Sequence, residues 1–208
     1  MNKLSGTKLA LISYWRNSGL VKDENVLEAL ENVPREDFVL KKHQHLAYLD
    51  EPLPLMHGQT ISQPTTVAIM TQALSIEKGQ KILEVGAGSG YQAAVLSELA
   101  GKDGKIYTIE RIRELVAYAR KNLRNRKNVF VIHGDGTQGY EPAALYDRII
   151  VTAAASELPQ VIFEQLKEKG IMVIPIEDHL FRITKIKGKA KMEDLGLFVF
   201  VPLIAGVR

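Results

Sequence analysis

An acid followed by alternating glycines, Glu84-Val85-Gly86-Ala87-Gly88-Ser89-Gly90-Tyr91, closes the apolar run Lys81-Ile82-Leu83 and opens into a helix-like stretch. Glycine at every second position lets the chain turn tightly and bring its backbone against a ligand with no side chain between them. An ordinary strand-to-helix turn needs one such glycine; three with a carboxylate before them point to a bound ligand. The dinucleotide fingerprint G-x-G-x-x-G presents a helix N-terminus to a pyrophosphate. Here the spacing is G-x-G-x-G, and a carboxylate at the strand end repels a pyrophosphate. Glu84 suits instead the ammonium or hydroxyl groups of a ligand such as S-adenosylmethionine. Two further acids extend the pattern. Glu110 ends the apolar run 105–109, 26 positions after Glu84, comparable with the roughly 20 positions at which Rossmann-type folds place a ribose-binding acid. Asp135 follows the run 128–132 within His133-Gly134-Asp135-Gly136. An adenosine lying across three neighbouring strand tips would meet all three carboxylates.

Bringing those tips together takes strands that alternate with helices, and the pattern supplies them. The apolar periodicity predicts a helix over 65–74, a strand over 81–85, a helix over 91–100, a strand over 105–109 and a helix over 112–126. Strands over 129–133 and 148–152, a helix over 158–165 and a strand over 170–175 follow. This alternation implies an α/β fold with a doubly wound, mostly parallel sheet and ligands at its carboxyl edge. In the tail, the runs 180–186 and 195–201 flank the polar stretch 187–194 and read as an antiparallel hairpin closing the sheet. At the other end, Leu4, Leu11, Ile12 and Trp15 recur near helical spacing, with Gly19 as a stop signal. Asp23 can cap a second helix running to Asn32, with Val26, Leu27 and Leu30 on its buried face. These two helices form an N-terminal helical cap. Residues 34–64 are rich in Pro and His and weak in periodicity, and irregular stretches that long inside a compact domain are often functional. The expected organisation is one domain over 1–208, with residues 1–63 as helical cap and substrate loop and 64–208 as a Rossmann-like core.

Composition removes other classes. The 208 residues are 46% hydrophobic and 25% charged, ordinary for a globular chain. The formal charge of +3 comes from scattered lysines and arginines, with one dense run at 120–127 that reads as the wet end of a helix, so no nucleic-acid surface is expected. With no cysteine there is neither disulfide nor thiol chemistry, and no metal cluster is evident. The patch Leu9-Ala10-Leu11-Ile12 is too short for a secretory core, and no run approaches the ~18 residues of a membrane span. A cytoplasmic protein is expected.

The stretch Ala47-Tyr48-Leu49-Asp50-Glu51-Pro52-Leu53-Pro54, followed by Gly58-Gln59-Thr60-Ile61-Ser62-Gln63-Pro64, closely resembles protein-L-isoaspartate O-methyltransferases. The resemblance continues through 83–92, Ile109-Glu110-Arg111, Gly134-Asp135-Gly136, 146–155 and Phe200-Val201-Pro202-Leu203. The glycine loop is common to many methyltransferases, whereas Gly-Gln-Thr-Ile-Ser-x-Pro is far more family-specific. The resemblance implies transfer of a methyl group from S-adenosylmethionine to the side-chain carboxylate of L-isoaspartyl residues in damaged proteins and peptides. The ester then collapses to a succinimide, and hydrolysis restores some normal aspartyl linkage. It gives Ser62 the active-site role, places Gln59, Thr60 and Ile61 near cofactor and substrate, and puts Glu84, Ser89, Glu110, Asp135 and Gly136 on the cofactor, beside Gly86 and Gly88 of the same loop. It implies a Rossmann-like methyltransferase sheet with rearranged final strands, and a monomer is expected. Thr65-Thr66, Met56-His57 and Leu40 depart from the commoner family pattern around the peptide pocket. The rival readings are a methyltransferase of the same fold acting on RNA or a small molecule, and a module that binds aged peptides without turnover. No Asn-Pro-Pro-Tyr motif of amine methylation is present.

The reaction asks little acid-base work of the protein. A carboxylate with a reference pKa near ~4 is already a nucleophile at neutral pH. Transfer from a sulfonium to a carboxylate neutralises two opposite charges, so alignment in a dry cleft supplies the acceleration. Ser62 then positions the acceptor by donating a hydrogen bond, with the 60–62 backbone as a further donor; its bland alternative is a helix N-cap before Pro64. His57 reads as a surface or hydrogen-bonded residue. Asp50 either orients the Ser62 loop or solvates a turn, and Asp147 pairs or caps at the sheet's edge.

Overall fold

Leu11, Ile12 and Trp15 share one buried stripe, and the chain winds there into α1, Lys8–Ser18, ended by Gly19 in a left-handed conformation at φ 71°. The computed structural model describes residues 7–208, and Leu4 of the expected stripe lies outside them. Asp23 caps α2, Glu24–Asn32, by accepting from the Asn25 amide, and Val26, Leu27 and Leu30 are buried as the periodicity predicts. Two 3-10 turns follow, Arg35–Phe38 and Lys41–Leu46. A short antiparallel pair comes next, β1 (Leu53–Pro54) with β2 (Thr60–Ile61). That hairpin is unexpected, because two residues a side, one of them proline, leave no alternation to read.

The core elements then run α3 (Pro64–Leu74), β3 (Lys81–Val85), α4 (Tyr91–Ala100), β4 (Lys105–Glu110), α5 (Arg113–Asn122), β5 (Val129–His133) and β6 (Tyr146–Val151). They continue with α6 (Gln160–Glu164), β7 (Leu166–Ile176), β8 (His179–Ile186) and β9 (Lys189–Leu197). The seven-stranded sheet has the order β5-β4-β3-β6-β7-β8-β9. It is parallel from β5 to β7 and antiparallel through β8 and β9. One apolar core joins the N-terminal helices, α3, α4 and one face of the sheet, and a second lies on the opposite face under α6. Because α4 lies between the sheet and α2, it is buried nearly all round.

The tail forms the expected antiparallel hairpin with a displaced second strand. That strand, β9, begins in the polar stretch assigned to the connection and ends at Leu197, and the turn is only Lys187-Gly188. As the sheet's edge strand, β9 is largely exposed and needs no apolar alternation. The apolar residues from 198 to 203 leave the sheet and pass beside its carboxyl edge, where Pro202 bridges to Ala154. The helices expected over 112–126 and 158–165 are shorter than their patterns, the second following Pro159. Among the described residues no helix is long and apolar enough to cross a membrane, and no group of three or more histidines and acids could hold a metal ion.

Candidate active site

Parallel pairing of β3 with β4 and β6 sets their carboxyl ends side by side, and the chain turns out of β3 through the glycines. Gly86 adopts φ 97°, and a Cβ there would lie 2.3 Å from Thr152 Oγ1, so no other residue fits without displacing that hydroxyl. Thr152 Oγ1 donates to the carbonyl of Gly86 at 2.9 Å, with the Val85 carbonyl also within reach. The amides of Gly86 and Ala87 both donate to Ile109 O, and Asn122 holds the Ser89 carbonyl at 2.9 Å. Gly90, at φ 86°, turns the chain into α4. The loop is therefore fixed by its neighbours in the sheet and by α5.

The three acids behave differently. Glu84 is fully buried and lines the cleft, and neither carboxylate oxygen meets a hydrogen-bond partner among the described residues. Burial pushes its carboxyl up to about 8, with the nearby Thr108 hydroxyl on β4, outside hydrogen-bond geometry, drawing it partly back. Glu110 also lines the cleft, and its two oxygens accept from the amides of Gly88 and Ile112, each at 3.0 Å. Asp135 departs from the expectation that all three would face one ligand. The cleft lining includes Gly136 but not Asp135. Its carboxylate accepts from Thr137, through amide and hydroxyl, and from the Gly206 amide at 2.6 Å. Following the end of β5, it caps a short turn and ties down the C-terminal tail.

Gln59, Thr60, Ile61 and Ser62 line the same cleft, of about 380 Å³, and form its serine wall. Ile61 is buried and Ser62 half-buried. Ser62 is not the N-cap of α3, as its bland reading supposed: the cap position is Gln63, which makes no side-chain capping bond. Asp50 does the capping from a distance, accepting from the Thr65 amide at 2.9 Å and the Thr65 hydroxyl at 2.6 Å. The indole of Trp15 in α1 donates to the same hydroxyl at 2.8 Å. Asp50 thus orients the start of α3 just beyond Ser62.

Two contributors escaped the sequence reading. Residues 199–204 also line the cleft, although 199–201 were expected to end a strand. Arg35 is fully buried and donates from Nη2 to the Ser62 carbonyl at 2.7 Å and from Nε to the Ala47 carbonyl at 2.8 Å. Nothing in its neighbourhood signals this, since an arginine beside two acids reads as a solvated turn. His57 stays out of the cleft lining, with Nε2 3.4 Å from Glu114. Asp147 pairs with Lys167 at 2.6 Å and accepts from the Lys81 amide, at the sheet's edge as expected.

The cleft fits an adenosyl sulfonium ligand on three counts. It has an unpartnered buried carboxylate able to meet an ammonium, a backbone turn with no room for a side chain at Gly86, and apolar flanks including Val67, Met70 and Val201.

Comparison with known proteins agrees with this geometry. A family model described as Protein-L-isoaspartate(D-aspartate) O-methyltransferase matches residues 6–208. A protein-L-isoaspartate O-methyltransferase of Ignicoccus hospitalis is 50% identical over 193 residues, covering 89% of this chain and 92% of that one. One of Methanosarcina mazei is 48% identical over 192 residues, covering 89% and 79%. Among solved structures, a Plasmodium falciparum chain assigned as a protein-L-isoaspartate O-methyltransferase and crystallised with S-adenosyl-L-homocysteine superposes with a TM-score of 0.84. It shares 29% identity over 94% of this chain and 97% of that one.

Proposed function

The chain belongs to the protein-L-isoaspartate(D-aspartate) O-methyltransferase family, and from that premise we propose how the cleft divides its work between two walls. The reaction carries a methyl group from S-adenosylmethionine to the free carboxylate of L-isoaspartyl residues in damaged proteins and peptides. When bound, S-adenosylmethionine supplies an electrophilic methyl on a sulfonium sulfur. Glu84, Gly86, Gly88, Ser89, Glu110 and Gly136 form the cofactor wall. Glu84 offers its unpartnered oxygens to a cationic or hydroxylic group, and Glu110 keeps lone pairs beyond those its two backbone donors occupy. Asp135 serves this wall indirectly, by holding the turn that carries Gly136.

Ser62 is the residue we assign to the acceptor. Its hydroxyl, half-buried and free of any other hydrogen bond among the described residues, donates to the isoaspartyl carboxylate, while Gln59, Thr60 and Ile61 line the peptide's path. No general base is required, because the acceptor is ionised at neutral pH. The apolar flanks keep water away from two charges that disappear together, and alignment does the rest. We treat residues 1–63 as cap and substrate loop and 64–208 as core of one unit, a reading supported by the apolar core they share. We infer further that the enzyme acts as a monomer in the cytoplasm, without nucleic acid, in keeping with its scattered cations.

The observation that carries this reading is that Ser62 and Glu84 line one cleft. Paired peptides differing only in an isoaspartyl or aspartyl linkage test it, with labelled S-adenosylmethionine as donor. Label should enter the isoaspartyl peptide alone. Equal labelling of both, or of neither with transfer to RNA or a small molecule instead, would overturn it.

A further inference from the structure

Among the described residues Arg35 is the largest fully buried side chain, and no carboxylate pairs with its guanidinium. Burial disfavours the charged form of such a group and brings its pKa down to about 10. Its bonds go to carbonyls of the loop segment: Nε to Ala47 O at 2.8 Å and Nη2 to Ser62 O at 2.7 Å. Nη1 has no partner. The guanidinium lies 5.1 Å from the ring centre of Tyr91, the first residue of α4 after the glycine turn and part of the cleft lining. A single side chain from the cap therefore touches both walls, on the side away from the cleft.

We propose that Arg35 is a positioning residue for methyl transfer. Its fork fixes the Ser62 backbone against the glycine turn, and its charge, drawing on the Ser62 carbonyl, polarises the Ser62–Gln63 peptide toward an anionic acceptor. The proposal rests on the assignment of Ser62 to that acceptor. Lysine at this position keeps the charge but cannot bridge two carbonyls with a rigid fork; glutamine loses both. Neither substitution touches the cofactor's own contacts.

The experiment compares wild type, Arg35→Lys and Arg35→Gln, each with and without Ser62→Ala. It measures kcat/KM on an isoaspartyl peptide and the affinity for S-adenosylhomocysteine. Loss of a charge-assisted hydrogen bond predicts about a tenfold fall in kcat/KM for Arg35→Lys and more for Arg35→Gln. Cofactor affinity should stay within about threefold. In the Ser62→Ala background the cost of Arg35→Lys should shrink to about twofold, because a misplaced loop matters less once its hydroxyl is gone. Equal losses in both backgrounds, or cofactor affinity falling in step with turnover, would overturn the proposal and leave Arg35 a structural residue. A wild-type enzyme inactive on the peptide would instead defeat the assignment of Ser62. Should the variants not fold, the Arg35 Nε–H resonance of the wild type can be followed by NMR with S-adenosylhomocysteine present. It should shift on adding the isoaspartyl peptide and not its aspartyl twin; an unmoved resonance would count against the proposal.

Discussion

The glycine wall is held by backbone and side-chain bonds from the adjacent strands and α5, whereas the serine wall, beyond its two-residue pairing with β1, hangs on side chains that reach across the fold. Gly86 and Ala87 donate to Ile109, and Gly88 to Glu110 on the neighbouring strand. The segment around Ser62 is fixed instead by Arg35, Asp50 and, through Thr65, Trp15. A wall built from the sheet is rigid because moving it breaks the ladder. A wall built from a few long-range side-chain bonds can be set finely by single residues and can yield to let a peptide in. On the proposed assignment the same difference separates the tasks, one wall holding the cofactor and the other meeting the peptide.

Substitutions can break this comparison at either wall. The largest effect is expected from Gly86→Ala, which sets a Cβ against Thr152 Oγ1 at a φ that L-residues rarely adopt. Strain of about 1–3 kcal/mol plus the disturbed turn should weaken S-adenosylhomocysteine binding by about a hundredfold in calorimetry. Near-wild-type affinity would mean that the turn does not approach the ligand. Next comes Ser62→Ala. Losing a hydrogen bond to a charged acceptor should lower kcat on an isoaspartyl peptide by about ten- to a hundredfold while cofactor affinity stays within about twofold. The opposite division would reverse the two walls.

Glu84 sharpens the comparison through pH. Its buried carboxyl is raised to about 8 from an ordinary 4.5, so the unliganded fold keeps a proton that the unfolded chain has released. That contribution to stability is fully present below about pH 4.5 and fades as the pH rises through 8. An incoming ammonium favours the carboxylate, so binding S-adenosylhomocysteine at pH 7 should release most of one proton. Calorimetry in buffers of different ionisation enthalpy would detect this, and Glu84→Gln should abolish it and weaken binding by about tenfold. An unchanged proton balance in that variant would take Glu84 out of the cofactor site. The smallest effect belongs to Asp50→Asn. Weakening the cap on α3 should cost about 1 kcal/mol and lower Tm by about 2–4 °C, with a larger loss in peptide kcat/KM than in cofactor affinity.

What the sequence made legible follows the same line. The parallel strands and the glycine turn are local: apolar runs of five or six residues, each ending at an acid or a glycine, sit in consecutive order, and the fold places Glu84, Gly86, Gly88 and Glu110 around one cleft. The resemblance of the segment at 58–64 brought Ser62 to the same place. What holds that segment was not legible, because Trp15, Arg35 and Asp50 lie 12 to 50 positions from the groups they bind and form no periodic pattern. The partners of Asp135 were hidden for a related reason: the end of a strand says where a carboxylate starts, not which of several nearby amides it will serve. Strand β9 hid because an edge strand exposed to water carries no apolar alternation, and the apolar residues after it line the cleft instead of a sheet.

The division of labour between the walls is tested most directly by a crystal structure of the enzyme with S-adenosylhomocysteine and an isoaspartyl peptide together. The account predicts the ligand's ammonium within hydrogen-bond distance of Glu84 and the isoaspartyl carboxylate within about 3.2 Å of Ser62 Oγ, between that hydroxyl and the ligand's sulfur. A carboxylate held elsewhere, with the Ser62 hydroxyl facing solvent, would contradict it.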